Sequence, residues 1–353
     1  MSLVNTRLQA IRSQYANTLD KYEDRLSTYG AWMKFVEDTQ DPESIVDADI
    51  LAKAGMSSGN TLEIPVIDGA DVTITNARTC TIGNDESTSG LVTVTFATYQ
   101  FGFTMIPGQY FNNEISYMAD FERKIKRYGK KFAETLDTAS ITKLEADKTA
   151  IMGSPFIGAG AKYGALAGDS VQVTSAQKQF FFNDLGVIME GDDFDGRYNV
   201  IGSTTLQSTV NQYLNQGTQN GTNSEFQFGQ FDFGYSNRVS VDTAGGKEST
   251  LYCVPKGSLA TMNRNAPDFI NGETINEDNF FTTFQYPIVD LEMGLRYFKE
   301  CADNNAVVGG SQPQLDASVK ETFIFSTDVA LITSYNRDAV NLAGSIHKAE
   351  LDA

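Results

Sequence analysis

The order of its parts constrains this chain more than any single motif. Residues 61–104 read as a Thr-rich ribbon of alternating apolar residues, and they run directly into one long basic helix. In the ribbon Leu62, Ile64, Val66, Val72, Ile74, Val92, Val94 and Phe96 fall on even positions, with Thr73, Thr75, Thr93 and Thr95 on odd ones. A period of two with β-branched residues on both faces specifies antiparallel hairpin strands. Turn chemistry sits at Asp68-Gly69 and at Gly83-Asn84-Asp85. Ten threonines and one basic residue, Arg78, leave little large apolar surface. A flat, mostly solvated ribbon is therefore expected rather than a core sheet. Such a ribbon ahead of a long helix suits a subunit that reaches over its neighbours better than a compact enzyme.

The helix is expected over about 113–148. Asn113 reads as its N-cap with Glu114 in the first turn, and Ile115, Met118, Ile125, Tyr128, Phe132 and Leu136 form one apolar face interrupted at Gly129. Some 35 residues would span roughly 50 Å. Arg123, Lys124, Lys126, Arg127, Lys130 and Lys131 place six cations in nine residues of a chain whose net charge is −18. That balance argues against a general nucleic-acid binder, because phosphate affinity needs Lys and Arg, but it leaves room for a local basic patch.

Before the ribbon, Leu8, Ile11, Tyr15, Leu19, Tyr22, Leu26, Tyr29 and Met33 recur at steps of three and four, the stripe of an amphipathic helix over 3–36. It is either a helix packed on its own body or an arm that packs on another copy. The acidic stretch Glu37–Asp49 reads as a tether behind it. If the stripe is an arm, deleting residues 1–36 should reduce assembly and leave a folded body.

Beyond the long helix, Ala150–Gly168 is a small-residue loop, broken by Pro155 and Lys162, and not a membrane span. Helices are expected at Phe180–Glu190 and Ser203–Leu214, and strands at Arg197–Ile201, Phe231–Tyr235, Phe280–Tyr286 and Leu291–Phe298. Short elements are expected at Leu251–Val254 and Leu259–Met262, and a strand leading into a helix at Glu321–Tyr335. At 353 residues the chain exceeds what one core comfortably supports, so two units, or one with extensions, are expected.

Catalytic signals are sparse. The one histidine, His347, supports no triad or multi-His metal site and is expected to be solvated. Gly158–Gly164 has its third glycine misplaced for a dinucleotide loop, and aligning Gly196 as an EF-hand glycine puts Gly191 and Gly202 where ligands belong. Among 45 acidic residues nothing singles out a carboxylate pair for glycoside hydrolysis. Cys80, Cys253 and Cys301 lie too far apart for a disulfide framework, and a reducing compartment is the default. The N-terminal MSLVNTRLQAIRSQY has no apolar core of signal-peptide length.

With these residues in view, a family resemblance enters. TLEIPVIDGADVTITNA and LVTVTFATYQFGFTM, followed by NNEISYMADFERKIKRYGKKFAETLD, resemble the extended loop and spine helix of tailed-phage major capsid proteins, the Hong Kong 97 capsid fold. DGRYNVIGSTTLQSTVNQY resembles that family's crossing from peripheral to axial domain, and FGQFDFGYSNRVSV and STLYCVPKGSLATMNRN resemble axial segments. The resemblance covers about residues 50–335 in order. It implies an α+β fold with an N-terminal arm at 1–60, an extended loop at 61–104 and a peripheral domain with the spine helix at 105–195. The axial domain would be 196–275, with a return to the peripheral domain and the C-terminus over 276–353.

The implied role is a non-enzymatic shell subunit. It would form pentamers and hexamers around double-stranded DNA in a virion assembled in the bacterial cytoplasm, with no cofactor and no membrane partner. Separate scaffolding, portal and decoration proteins are expected. The site residues implied are Arg123, Lys124, Lys126, Arg127, Lys130 and Lys131 for charge contacts, and Leu8, Ile11, Tyr15, Leu19, Tyr22 and Leu26 for arm packing. Some relatives cross-link a loop lysine to a neighbour's asparagine. Residues 61–104 contain no lysine, so a shell without covalent links is expected unless Lys53 takes that role. An encapsulin-type compartment shell, and less readily a hydrolase with paired carboxylates, are the alternatives.

Overall fold

The computed structural model describes residues 29–42, 44–46, 48–56, 59–68, 88–110, 116–148, 156–157, 160–163, 169–192, 194, 196–217, 229–276, 278–286, 289, 291–303, 317–333 and 345–353. Its helices are α1 (Gly30–Gln40), α2 (Ala48–Met56), α3 (Tyr117–Asp147), α4 (Lys178–Gly191), α5 (Thr204–Gly217) and α6 (Pro267–Asn271). Its strands are β1 (Thr61–Asp68), β2 (Thr88–Thr95), β3 (Ala97–Met105), β4 (Ser170–Val173), β5 (Tyr198–Ser203), β6 (Phe231–Ser236), β7 (Lys247–Pro255), β8 (Leu259–Arg264), β9 (Thr274–Asn276), β10 (Asn279–Tyr286), β11 (Leu291–Asp303), β12 (Ala317–Thr333) and β13 (His347–Asp352).

The strands sort into three sheets. The ribbon pairs β1 with β2, from Thr61 opposite Thr95 to Asp68 opposite Thr88. An antiparallel sheet runs β3-β12-β11-β10-β9, with β8 also on β12. A five-stranded sheet runs β4-β13-β7-β5-β6, in which β13 is parallel to β4 and β5 to β6.

The first unit is the β12 sheet with α3 laid on it. Its core is a row of aromatic cross-strand partners: Phe103 opposite Phe323, Phe323 opposite Tyr297, and Tyr297 opposite Phe280. Their ring centroids lie 5.4, 5.1 and 5.1 Å apart. Each such pair contributes about 0.2–1 kcal/mol beyond small-residue pairing. Phe121, Ile125, Phe132 and Leu136 of α3 pack onto this core. Ser116 begins the helix: its Oγ accepts the Ala119 N–H at 3.2 Å. The start is therefore later than the cap expected at Asn113, which lies outside the described residues.

The second unit is the five-stranded sheet with α4 and α5, closed around Phe181, Leu185, Ile188, Tyr198, Val200, Leu206, Leu251 and Leu351. The units do not change at 195/196 and 275/276 as the sequence suggested. Both β4 and α4, within 105–195, belong to the five-stranded unit, whereas β8 and β9, within 196–275, belong to the β12 sheet. β13 returns to the five-stranded sheet rather than to the unit built on α3. It was not anticipated, because six residues of alternating pattern with a His and two acids carry little signal.

Three further expectations are corrected. The ribbon ends at Thr95, not at 104, and β3 enters the main sheet against β12. The apolar phase changes there from even positions to Phe101, Phe103 and Met105, so Phe96 breaks the strand. The expected strand-to-helix passage at 321–335 is strand up to Thr333. The expected tether over 37–49 is partly helical, for α1 runs to Gln40 and buries Asp38, and α2 begins at Ala48. The turn residues 69–87 of the ribbon, and residues 1–28 of the stripe, lie outside the described residues.

Gly129 interrupts the apolar face of α3 for a packing reason. Tyr286 lies against it and donates its hydroxyl to the Ile125 carbonyl, and a Cβ on Gly129 would overlap the Tyr286 ring. Gly129→Ala should therefore destabilise the fold by about 1–3 kcal/mol through overpacking, although alanine alone would favour a helix by about 1 kcal/mol. A urea titration checks this, and a stabilised variant would contradict it.

Candidate assembly surface

Helix α1 is wedged between the two units, and two buried carboxylates hold it there. Its N-cap, Tyr29, makes no side-chain cap hydrogen bond. Asp137 of α3 supplies the missing acceptor: its Oδ1 takes the Ala31 and Trp32 N–H groups, both at 3.1 Å. Its Oδ2 accepts from Ser236 Oγ, and Arg238 lies 3.6 Å away. The Trp32 indole N–H donates to the Val289 carbonyl at 3.1 Å. At the other end Asp38 accepts from Asn199 of β5 at 2.7 Å and from the Leu259 N–H of β8 at 3.3 Å. One carboxylate therefore bonds to a strand of each unit.

Burial pushes both carboxyls above the usual carboxylate range. For Asp137, desolvation outweighs the Ser236, Trp32 and Ala31 hydrogen bonds and the Arg238 charge. For Asp38, desolvation outweighs the bonds from Asn199, Leu259 and Gly257 and the Lys34 charge, and its value rises to about 6. Sequence reasoning missed both residues, although a signal was present. Asp137 stands on the same stripe as Phe132, Ala133, Leu136 and Leu144, and an acid on an apolar stripe must find partners or lose its charge.

The other face of α3 is outward. Arg123, Arg127, Lys130 and Lys131 are exposed there, and the first three lie at i, i+4 and i+7. Lys124 pairs with Asp120 at 3.2 Å and donates to the Thr104 carbonyl at 3.0 Å. Lys126 pairs with Glu122, and Lys131 with Glu134 at 3.1 Å. The six expected cations therefore divide. Three are neutralised along their own helix, and Arg123, Arg127 and Lys130 form a stripe with no ion pair among the described residues.

Beside the C-terminal half of α3 runs a groove of about 1140 Å³, between Thr135, Thr138 and Thr142 on one side and Val92, Val94, Val329 and Leu331 on the other. Arg238 stands at this groove and its guanidinium lies 4.9 Å from the Tyr29 ring. The expected arm-packing residues Leu8, Ile11, Tyr15, Leu19, Tyr22 and Leu26 precede Tyr29 and lie outside the described residues.

His347 is not solvated as expected. It is 1% exposed, with Nε2 3.5 Å from Asp192 Oδ2 and its ring edge-on to Phe194. Its strand is an interior one, paired on both sides, which outweighs the polarity of the side chain. Cys253, opposite it, is buried, and burial pushes its thiol well above the usual range. Among the described residues no group of three or more His, Cys, Asp or Glu side chains is placed to hold a metal ion, and no helix is long and apolar enough to cross a membrane.

No protein-family model matches the chain, and no curated protein matches it. Among solved structures it is similar to a chain of the Cyanophage Pam1 capsid asymmetric unit, at 13% identity and a TM-score of 0.47, over 86% of this chain and 87% of that one. It is similar to a chain from Mycobacterium phage Adephagia at 11% identity and a TM-score of 0.47, over 84% and 87%. It is also similar to a chain of the asymmetric unit of the bacteriophage PhiM1 mature capsid at 12% identity and a TM-score of 0.43, over 83% and 82%.

The raised value of Asp38 fixes the sign of a pH effect. Its folded value lies above the ordinary 3.8, so its contribution to stability is fully present below about pH 4 and is lost as pH rises through about 6. The change is at most about 3 kcal/mol. The urea midpoint of the wild type should fall between pH 4 and pH 7 relative to Asp38→Asn. Parallel pH profiles for the two proteins would refute it.

Proposed function

We propose that this chain is the structural subunit of an icosahedral phage capsid, assembling as pentamers and hexamers into a shell around double-stranded DNA. The observation that carries the reading is a charge mismatch within one chain. The ribbon forms a sheet of its own, and its segment 61–95 holds Glu63, Asp68, Asp71, Asp85 and Glu86 against the single cation Arg78. The outer stripe of α3 holds Arg123, Arg127 and Lys130 without ion-pair partners among the described residues. An acidic segment, of which Asp71, Asp85 and Glu86 lie outside the described residues, and a basic helix face in the same chain are complementary between copies. One exposed ion pair adds at most about 1 kcal/mol, but a subunit that touches several neighbours multiplies the effect.

In this reading α3 is the spine of the peripheral unit, the five-stranded unit is axial, and residues 1–28 are an arm that packs on another copy. The groove beside α3 is a surface of the kind its apolar stripe requires. Scaffolding, portal and decoration proteins are the further partners, and the virion is the location. The reading makes the chain non-catalytic.

Negative-stain images and light scattering of the purified chain decide the main claim. Closed particles of megadalton size are expected, and a small oligomer would overturn it. Reversing the stripe with Arg127→Glu plus Lys130→Glu should cut particle yield by at least about tenfold and leave the unfolding free energy within about 0.5 kcal/mol of wild type. Normal particles with normal DNA content would remove the stripe from the mechanism. Lys126, paired with Glu122, is a poorer target.

The arm is tested by deleting residues 1–28. The deletion cannot extend to residue 36, as the sequence suggested, because Trp32 and Phe35 are fully buried in the body. A folded chain of low assembly yield is expected, and normal shells would refute the arm. Boiled, reduced particles should run as a single band near 38.6 kDa. A ladder of multiples would instead implicate a lysine outside the ribbon, such as Lys53, which is exposed in α2.

A further inference from the structure

β13 occupies an unusual place. It is the interior strand, second in the order, that joins β4 to the rest of the five-stranded sheet, and among the described residues β4 has no other strand neighbour. It accepts and donates ladder bonds on both sides, with Lys348–Leu351 paired to Ser170–Val173 in parallel and His347–Asp352 to Cys253–Lys247 in antiparallel register. Its side chains alternate strictly. His347, Ala349 and Leu351 are buried, while Lys348, Glu350 and Asp352 are half-exposed.

The outward set is individually recognised. Lys348 lies 3.3 Å from Glu145 of α3, Glu350 accepts from Gln172 at 3.0 Å, and Asp352 pairs with Lys247 at 2.5 Å. The Ala353 N–H donates to the Gly246 carbonyl at 2.9 Å. A short extended segment is thus specified by main-chain bonds on both edges, two apolar sockets, a polar socket at Asp192 and three outward contacts. These are the elements of strand addition to a sheet.

We propose that the slot between β4 and β7 is a strand-acceptor site for the segment 345–353. The slot takes this strand equally when it is supplied from outside the chain, as a peptide or by a second copy. Filling it is the step that makes the five-stranded unit competent to assemble, a role that rests on the shell reading above. Until the slot is filled, β4 lacks its strand partner, and the Glu145 contact between the two units is without Lys348.

The test uses the full chain with a protease site inserted in 334–344, cut after purification. The freed segment 345–353 should remain bound in buffer, wash out in urea below the unfolding midpoint, and exchange with a fluorescent synthetic peptide of residues 345–353. That peptide should bind saturably, and Leu351→Ala in the peptide should weaken binding by about 30-fold or more. Washed protein should make no particles until the peptide is returned.

Two results overturn the proposal: washed protein that assembles without peptide, or a slot that takes up no peptide after washing. Should the uncut chain make no particles at all, the shell reading fails. Peptide binding by anisotropy still decides whether the acceptor site exists.

Discussion

The rest of the structure hangs on a helix end that cannot satisfy itself. The first N–H groups of any helix lack partners, and α1 begins in the interior with no cap of its own. Asp137, reaching across from α3, accepts two of those N–H groups while fully buried. The macrodipole of α1 favours negative charge at that point, and Arg238 and Ser236 supply the remaining contacts. Without this carboxylate, α1 would leave two buried N–H groups unmet, a cost of about 1–3 kcal/mol each. The approach is so close that Gly30 and Gly234 face one another with no room for a Cβ on either.

Because α1 is pinned in this way, the two units keep a fixed relation. Asp38 bonds to β5 of one and β8 of the other, and Ile201, Tyr252 and Val254 share a core with Ala31, Phe35, Ile141 and Leu144. At the far end of α3, Glu145 takes the Tyr252 hydroxyl at 2.5 Å and faces Lys348 and Lys148. Those bonds hold its carboxyl below the usual range even though desolvation works against its charge. The helix is therefore bonded to the second unit at two points eight residues apart, Asp137 and Glu145.

Legibility divided along physical lines. The ribbon, α3, α4, α5 and the β10–β11 pair were readable, because their apolar periods of 2 or 3.6 persist over many residues. The end of the ribbon at Thr95 was readable in principle, from the phase change into Phe101 and Phe103. The place of α1 was not. Its stripe is continuous with that of residues 3–28, and no local signal separates a buried wedge from an arm. β13 and the burial of His347 were also hidden, because both depend on partners nearly 100 or more residues away at Cys253 and Ser170. Of the six cations, the sequence located the cluster. Only the helical geometry shows that Lys124, Lys126 and Lys131 are neutralised locally and that Arg123, Arg127 and Lys130 have no ion pair among the described residues.

The ribbon completes the argument, since it shows what the body is built to carry. Its base is not loose: Leu62, Ile64, Val94 and Phe96 pack with Val46 and Ala54 beneath them and with Ala260, Met262 and Ala330 of the main sheet. Arg264 is held between Asp328 at 3.1 Å and the Phe96 ring at 4.1 Å, which fixes the point where the strand breaks. Beyond that base Leu91 is 64% exposed. A two-stranded ribbon is marginal in water by itself, and an exposed apolar residue on a strand edge is a liability that isolated proteins avoid. A ribbon anchored firmly at one end, with no further sheet partner among the described residues, is consistent with the proposed shell, in which a neighbouring copy would cover its other surface.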